Sequence, residues 1–341
     1  MKLLQQLCEL QGVPGREEEV RDFILEQVKD HVDSYEIDPM GNLICKRLCE
    51  GSDRWVMVAC HMDEIGFYVR YIDKKGYVRV QAAGGFDTRN LFARRVTINT
   101  RSGKIVGTMN PGGPPIHIAT PEDRKKVPEV KEFYIDLGLP AEEVKKKVRV
   151  GDPVALNQDF VEIGQYVSCK SMDNRTACWT GINLLKELTQ PTQNIAVVFT
   201  VQEEVGLRGA VTSAFTVDAD VSIAIDVTLA CDTPGIDEED YISELGKGTA
   251  IKVFDSSMIS DHGLREQMIE LAEKNNIPHQ LELLPRGGTD AGALQRSRGG
   301  SKAITLSIPT RYIHTITETI HPDDLRATLS LLKAYCEAPV Q

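Results

Sequence analysis

Four short apolar runs, Trp55 to Ala59, Ile195 to Val201, Val221 to Ile225 and Ala303 to Ile308, punctuate an otherwise mixed chain. Runs of this length predict strands buried on both faces, the pattern of a parallel sheet. Around them the apolar positions recur at helical spacing. Val20, Phe23, Ile24 and Val28 lie on one face of a helix over residues 17–28, and further helices are predicted over 176–188, 264–275 and 322–336. Helices alternating with apolar strands specify an α/β layer. From about residue 68 the pattern changes to short alternating segments, Tyr77 to Val80 and Arg95 to Ile98, punctuated by Gly84-Gly85 and by Pro111-Gly112-Gly113-Pro114-Pro115. A charged, Pro-interrupted stretch follows over 120–147, and strand-like spacing returns at Val148 to Asp152 and Val161 to Val167. The expectation is one discontinuous α/β domain, residues 1–67 and 167–341, carrying a β-rich module inserted at 68–166.

Composition narrows the function without naming it. With 341 residues, 41% of them hydrophobic, the chain can bury a full core in two domains. A net charge of −11 opposes nucleic-acid binding, which needs a basic footprint. The N-terminus meets Glu9 and the charged run Arg16 to Glu19 too early for a secretory signal, and no apolar stretch approaches a membrane span. Neither a nucleic acid nor a membrane is an expected partner. Eight cysteines without CxxC spacing, in a chain this large, point to a reduced cytoplasm.

Three of the apolar runs end on candidate ligands: Cys60-His61-Met62-Asp63, Gln202-Glu203-Glu204 and Asp226. Ligands in open α/β sheets bind outside the carboxyl ends of the strands, so one sheet edge could gather all of them. At His61-x-Asp63, a neutral imidazole can bind metal while the acid two residues on orients the ring through its other nitrogen. Cys60 points to the opposite face and reads as a buried structural thiol. Adjacent carboxylates at Glu203-Glu204 repel unless a cation or shared proton relieves them, so one can bind metal while its neighbour faces a water. Asp173, in Lys170-Ser171-Met172-Asp173-Asn174-Arg175, could cap the helix that follows or bridge two cations with its two oxygens. His314 follows the run ending at Ile308. Its competitor His321 heads a helix start, His321-Pro322-Asp323-Asp324. Two imidazoles and three carboxylates around a further, free carboxylate suit two borderline cations such as zinc, cobalt or manganese. Such a pair would activate a bridging water, and the free carboxylate would carry its proton to the leaving amine.

The segments ACHMDEIGF (59–67), KSMDNRTA (170–177), TVQEEVGLRGA (200–210), AIDVT (224–228), GGTDAGA (287–293) and IPTRYIH (308–314) resemble, in order and over nearly the whole chain, those of the M42 metallo-aminopeptidases. This group includes the glutamyl and the tetrahedral TET aminopeptidases. The resemblance implies that Asp173 bridges the two metals, with His61 and Asp226 completing one site and Glu204 and His314 the other. It makes Glu203 the general base and Asp63 the orienter of His61. It implies a zinc-peptidase-type α/β/α sandwich with an inserted β-barrel-like dimerisation domain, removal of N-terminal residues from short peptides, and assembly of dimers into a hollow tetrahedral dodecamer. The loop at Gly287 to Asp290 resembles the family's pocket-lining loop, which makes Asp290 and the adjacent Arg286 candidates for substrate contact. A guanidinium there could pair with an acidic first residue. One departure is local: relatives often follow the metal histidine with Ser-Pro, whereas this chain has Thr315-Ile316, although Glu318 falls where relatives often carry Glu. Two alternatives remain: a metal-dependent deacylase acting on N-acyl amino acids, and a non-catalytic scaffold on the same fold.

Overall fold

A computed structural model describes residues 1–339. The chain starts with α1 (Lys2–Glu9) and α2 (Glu18–Val28), then lays down β1 (Ser34–Ile37), β2 (Leu43–Arg47) and β3 (Trp55–His61). Next come β4 (Gly66–Ile72), β5 (Val78–Ala83), β6 (Arg94–Thr100) and β7 (Gly103–Pro111). The short helix α3 (Pro121–Lys125), β8 (Phe133–Asp136), α4 (Ala141–Lys147) and β9 (Pro153–Leu156) complete this stretch. These six strands close into a barrel in the order β4-β5-β8-β7-β6-β9. Alternate residues fill it: Phe67 and Val69, Val78 and Val80, Val96 and Ile98, Phe133 and Ile135, Val154 and Leu156. That is the period-two burial expected of strands with one face inward.

The remaining elements are β10 (Val161–Ile163), β11 (Tyr166–Cys169), α5 (Met172–Glu187), β12 (Asn194–Thr200), α6 (Arg208–Val217), β13 (Val221–Leu229) and β14 (Thr249–Phe254). They continue through α7 (His262–Lys274), β15 (His279–Leu283), α8 (Ala291–Gln295), β16 (Lys302–Arg311), β17 (Glu318–Ile320) and α9 (Pro322–Glu337). With β1 to β3 they build an eleven-stranded sheet of main order β1-β2-β12-β3-β13-β16-β17-β11-β10, with β14 joined to β16 and β15. At its centre β12, β3, β13 and β16 run parallel. Val56, Val58 and Cys60 of β3 face a core shared with α1, α2, α5, α7 and α9. Met57 and Ala59 face the opposite way, onto Ala210 and Ala214 of α6 and Leu294 of α8. Helices thus cover both faces of a central sheet, an α/β sandwich. Because His61 continues the 57, 59 series, it emerges on the α6 and α8 side, and Cys60 is fully buried on the other.

Two local expectations differ from what is found. Val148 to Asp152 is not a strand: Val148 ends α4, with its N–H bonded to Val144 O, and Val150 is 69% exposed. The Val-x-Val alternation there mimics a strand, but only Val148 reaches the barrel core. Residues 161–167 form not one strand but the hairpin of β10 and β11, which pairs into the large sheet beside β17. The strands of the barrel accordingly end at Leu156.

Candidate metal centre

The parallel register decides which residues meet. Thr200 pairs with His61 and Ala224 with Ala59, so β3 and β12 stop level with each other while β13 runs on beside β16 as far as Leu229. Asp226 is therefore inside its strand rather than at its end, and its carboxylate overhangs the end of β3. After Thr200, Gln202 adopts left-handed backbone (φ 56°), turning Glu203 and Glu204 over the edge. Past the end of β16, Tyr312 and His314 do the same (φ 62° each).

Asp173 follows β11, in a segment where it and Asn174 depart from helical φ/ψ within α5. Asn174 takes the cap: its Oδ1 accepts the Ala177 N–H at 3.1 Å, while its Nδ2 donates to Ile225 O and Asp226 Oδ1. The Asp173 carboxylate is left free of capping and lies between two imidazoles. Its Oδ1 is 3.2 Å from His61 Nε2 and its Oδ2 is 3.4 Å from His314 Nε2. His61 Nε2 is also 3.6 Å from Asp226 Oδ1, and His314 Nε2 is 3.2 Å from Glu204 Oε2. Two clusters result, His61/Asp173/Asp226 and Asp173/Glu204/His314, each with its donor atoms within 4.8 Å of one another. Glu204 Oε1 is buried and has no hydrogen-bond partner among the described residues. An orphaned carboxylate oxygen beside imidazole and carboxylate donors fits a divalent cation of borderline softness.

Asp63 is fully buried and committed to the backbone of the glutamate turn. Its Oδ1 and Oδ2 accept the N–H groups of Glu203 and Glu204 at 3.0 and 3.1 Å. His61 Nδ1 lies 3.2 Å from the Asp63 carbonyl oxygen and 3.4 Å from Oδ1. One side chain thus faces the His61 ring and seats the Glu203-Glu204 turn, the second task being invisible in the sequence.

Residues 41–331 match the family described as M42 glutamyl aminopeptidase. The lysyl aminopeptidase of Pyrococcus furiosus is 34% identical over 341 residues, covering 98% of this chain and 96% of its own. An aminopeptidase from the archaeon Desulfurococcus kamchatkensis superposes with a TM-score of 0.94 at 38% identity, covering 98% of this chain and 94% of that one. The TET1 peptidase of Pyrococcus horikoshii, which can assemble into a tetrahedron or a large octahedral shell, superposes at 0.87 with 33% identity and 98% coverage of both chains. The chain belongs to the M42 family. It is an aminopeptidase, a peptide hydrolase of a group that uses divalent metal.

In this M42 peptidase the cluster of candidate ligands opens on a cavity of about 390 Å³, lined on one side by His61, Asp173, Glu203, Glu204, Asp226 and His314. Leu229, Leu284, Ile313 and Arg286 line it as well. Arg286 is exposed and forms no ion pair with any described residue. Asp290, expected in contact with substrate, does not line this cavity but lies buried beside the cluster: it is 2% exposed, and Thr200 Oγ1 donates to its Oδ2 at 2.6 Å. Its carboxyl is turned to the end of β12, beneath the wall that Thr289 forms.

The electrostatics follow from crowding acids in a dry site. Burial works against protonated His61, yet Asp173, Asp226 and Asp63 together hold its pKa well above the usual histidine range. Burial likewise opposes protonated His314, but Asp173 and Glu204 push it up to about 12. Burial, then the Asp173 charge, raises Glu204 to about 7. Burial also pushes Glu203 well up, with Asp226, Asp290 and Glu204 adding to it against His61. For Asp173 the two imidazoles outweigh burial and hold the carboxyl below its ordinary range.

One buried acid was left without a role by the sequence. Glu318 is 1% exposed, and its oxygens accept the backbone N–H groups of Asp173 and His314 at 2.9 and 2.8 Å. The sequence signals for it are its place four residues after His314 and its match to a position where relatives often carry Glu.

Proposed function

We propose that this chain is a dinuclear-metal aminopeptidase that removes N-terminal residues from short peptides. The observation that carries the reading is the Asp173 carboxylate, with one oxygen facing His61 and the other facing His314. His61 and Asp226 would hold one cation, Glu204 and His314 the other, and Asp173 both. Zinc or cobalt suits this nitrogen and carboxylate set. Two such ions when bound supply Lewis acidity, acidifying a water and polarising the scissile carbonyl.

The chain's own residues do the remainder. Asp63 fixes the backbone of Glu203, whose side chain lines the cavity without a ligand's task. Glu203 takes the proton of the attacking water as the new C–O bond forms. It delivers that proton to the amide nitrogen as the C–N bond breaks, which leaves its carboxylate as it began. Burial and the neighbouring acids raise Glu203 above the ordinary carboxylate range, the direction that suits a general base. Arg286, an exposed cation on a wall that otherwise offers Leu229, Leu284 and Ile313, would pair with an acidic first side chain and favour glutamyl or aspartyl substrates.

The barrel would serve as the dimerisation domain of a larger homo-oligomer acting in the cytoplasm. Ile116, Ile118 and Val127 on its long β7–β8 connection are 60, 74 and 56% exposed, an apolar surface suited to a second copy. The TET1 relative forms closed shells, and all eight cysteines here are free thiols. The deciding experiment compares a panel of aminoacyl anilides and an N-capped peptide, with and without chelator, on wild type and Glu203→Gln. Turnover should vanish with chelator and with the capped substrate. It should fall on the order of 10² to 10⁴ in the variant, the usual contribution of a positioned base, while bound metal is retained. Hydrolysis of the capped peptide would favour a deacylase, and near-normal turnover by Glu203→Gln would remove Glu203 from the role.

A further inference from the structure

Glu318 opens β17, the short strand stitched between β11 and β16. It pairs with Cys169 on one side, and its neighbour Thr319 pairs with Arg311 on the other. The Asp173 segment leaves the sheet just past Cys169 and the His314 loop just past Arg311. Position 318 therefore stands where both ligand-bearing segments depart. Its carboxylate accepts one amide from each, Asp173 N–H on Oε2 and His314 N–H on Oε1. Both segments need holding: Ser171, Tyr312 and His314 all lie at positive φ without being glycine (61°, 62° and 62°), a backbone that persists only where its surroundings impose it.

We infer that Glu318 is a positioning residue that sets the separation of Asp173 and His314, and so the geometry of the cation site these two share with Glu204. This rests on the dinuclear reading above. A purely structural acid of the same kind is available for comparison. Asp324, 1% exposed, accepts the N–H groups of Gly246 and Gly248, both at 2.7 Å, in a loop that carries none of the proposed ligands.

The test is zinc and cobalt titration of wild type, Glu318→Gln and Asp324→Asn after chelation, with thermal melts of the chelated proteins and kcat and KM of the reloaded ones. Gln keeps the volume but sets an NH₂ against one of the two amides. In Glu318→Gln one cation should bind about 10- to 100-fold more weakly, the usual effect of losing a partner behind the ligands. Its kcat should fall with KM within about threefold, and its chelated form should melt no lower than that of Asp324→Asn, which keeps wild-type metal affinities. Wild-type affinities in Glu318→Gln, or equal losses in both variants, would overturn the inference. Should Glu318→Gln fail to fold, Glu318→Asp keeps the charge and shortens the reach. The same weakening is expected of it, and wild-type affinity there is equally fatal. Uptake of fewer than two cations by wild type itself would overturn the dinuclear reading, a failure seen before any variant is compared.

Discussion

Gly209 lies in the TVQEEVGLRGA segment, at the start of α6, and Gly209→Ala tests how tightly the glutamate turn is held. A Cβ at this position would lie 2.3 Å from Asn42 Oδ1, 2.5 Å from Val201 O and 2.6 Å from Val201 N. Ordinary contacts begin near 3.4 Å, so about 1 Å of movement is required. None of the three atoms is the loose end of a side chain. Asn42 Oδ1 accepts the Val201 N–H at 3.0 Å, Asn42 Nδ2 donates to Gly209 O at 3.1 Å, and Gly209 N–H donates to Val201 O at 3.0 Å. Val201 is two residues ahead of Glu203, so displacement passes directly into the turn. Overpacking a close contact costs about 1–3 kcal/mol, roughly 1 to 4 °C of Tm for a chain of this length. A misplacement of about 1 Å at a catalytic group costs on the order of 10² in rate. The assay is kcat/KM on a leucyl anilide together with a thermal melt. Gly209→Ala should lose about 100-fold in kcat/KM while still folding. A variant within threefold of wild type at unchanged Tm would show that the turn is not fixed by this packing.

Two further outcomes follow from charge. Glu17 is 5% exposed, and its Oε1 alone accepts the N–H groups of Gly15 and Gln202, while burial and then the Asp63 charge raise its pKa from 4.5 to about 7. The folded state therefore holds this proton more tightly than the unfolded chain. The associated stability is fully present below about pH 4.5 and is lost as pH rises to about 7, a difference of about 3 kcal/mol. Gln can keep both hydrogen bonds, so in urea unfolding Glu17→Gln should gain on wild type by about that amount between pH 4.5 and 7.5; parallel pH curves would contradict the assignment. At the cavity, Arg286→Ala should lower kcat/KM for a glutamyl anilide by about 10- to 100-fold and leave the leucyl and lysyl anilides within threefold. Equal losses on all three would show that the guanidinium does not read the substrate.

The sheet was legible because its central strands are buried on both faces, so β3, β12, β13 and β16 appear as unbroken apolar runs. The glutamate turn was legible because two adjacent acids at the end of such a run have no apolar explanation. What could not be read is whatever depends on partners far apart in the chain. Arg175 is fully buried; it donates to the carbonyls of Leu7, Leu10 and Met62 and pairs with Glu64, which also pairs with Lys170. In sequence these are three isolated charges. Asp173 and Asn174 are both competent caps, and only the fold shows that Asn174 takes the task. The extension of β13 past Asp226 is likewise set by β16 rather than by β13's own residues.

The same burial that gathers the candidate ligands makes the site costly to fold. Asp63, Asp173, Glu203, Glu204, Asp226 and Asp290 converge on two imidazoles, and charged carboxylates in a dry site repel unless protons or cations intervene. Three responses are built in. Asp63 spreads its charge over two backbone amides. Glu204 and Asp290 are each raised to about 7, where a proton can neutralise them. Asp173 instead stays ionised by pairing with His61 and His314. Cations at the two clusters would replace the third arrangement and displace the imidazole protons, since only the neutral ring can ligate. Binding energy would then return as folding energy, because the unfolded chain has no preformed site.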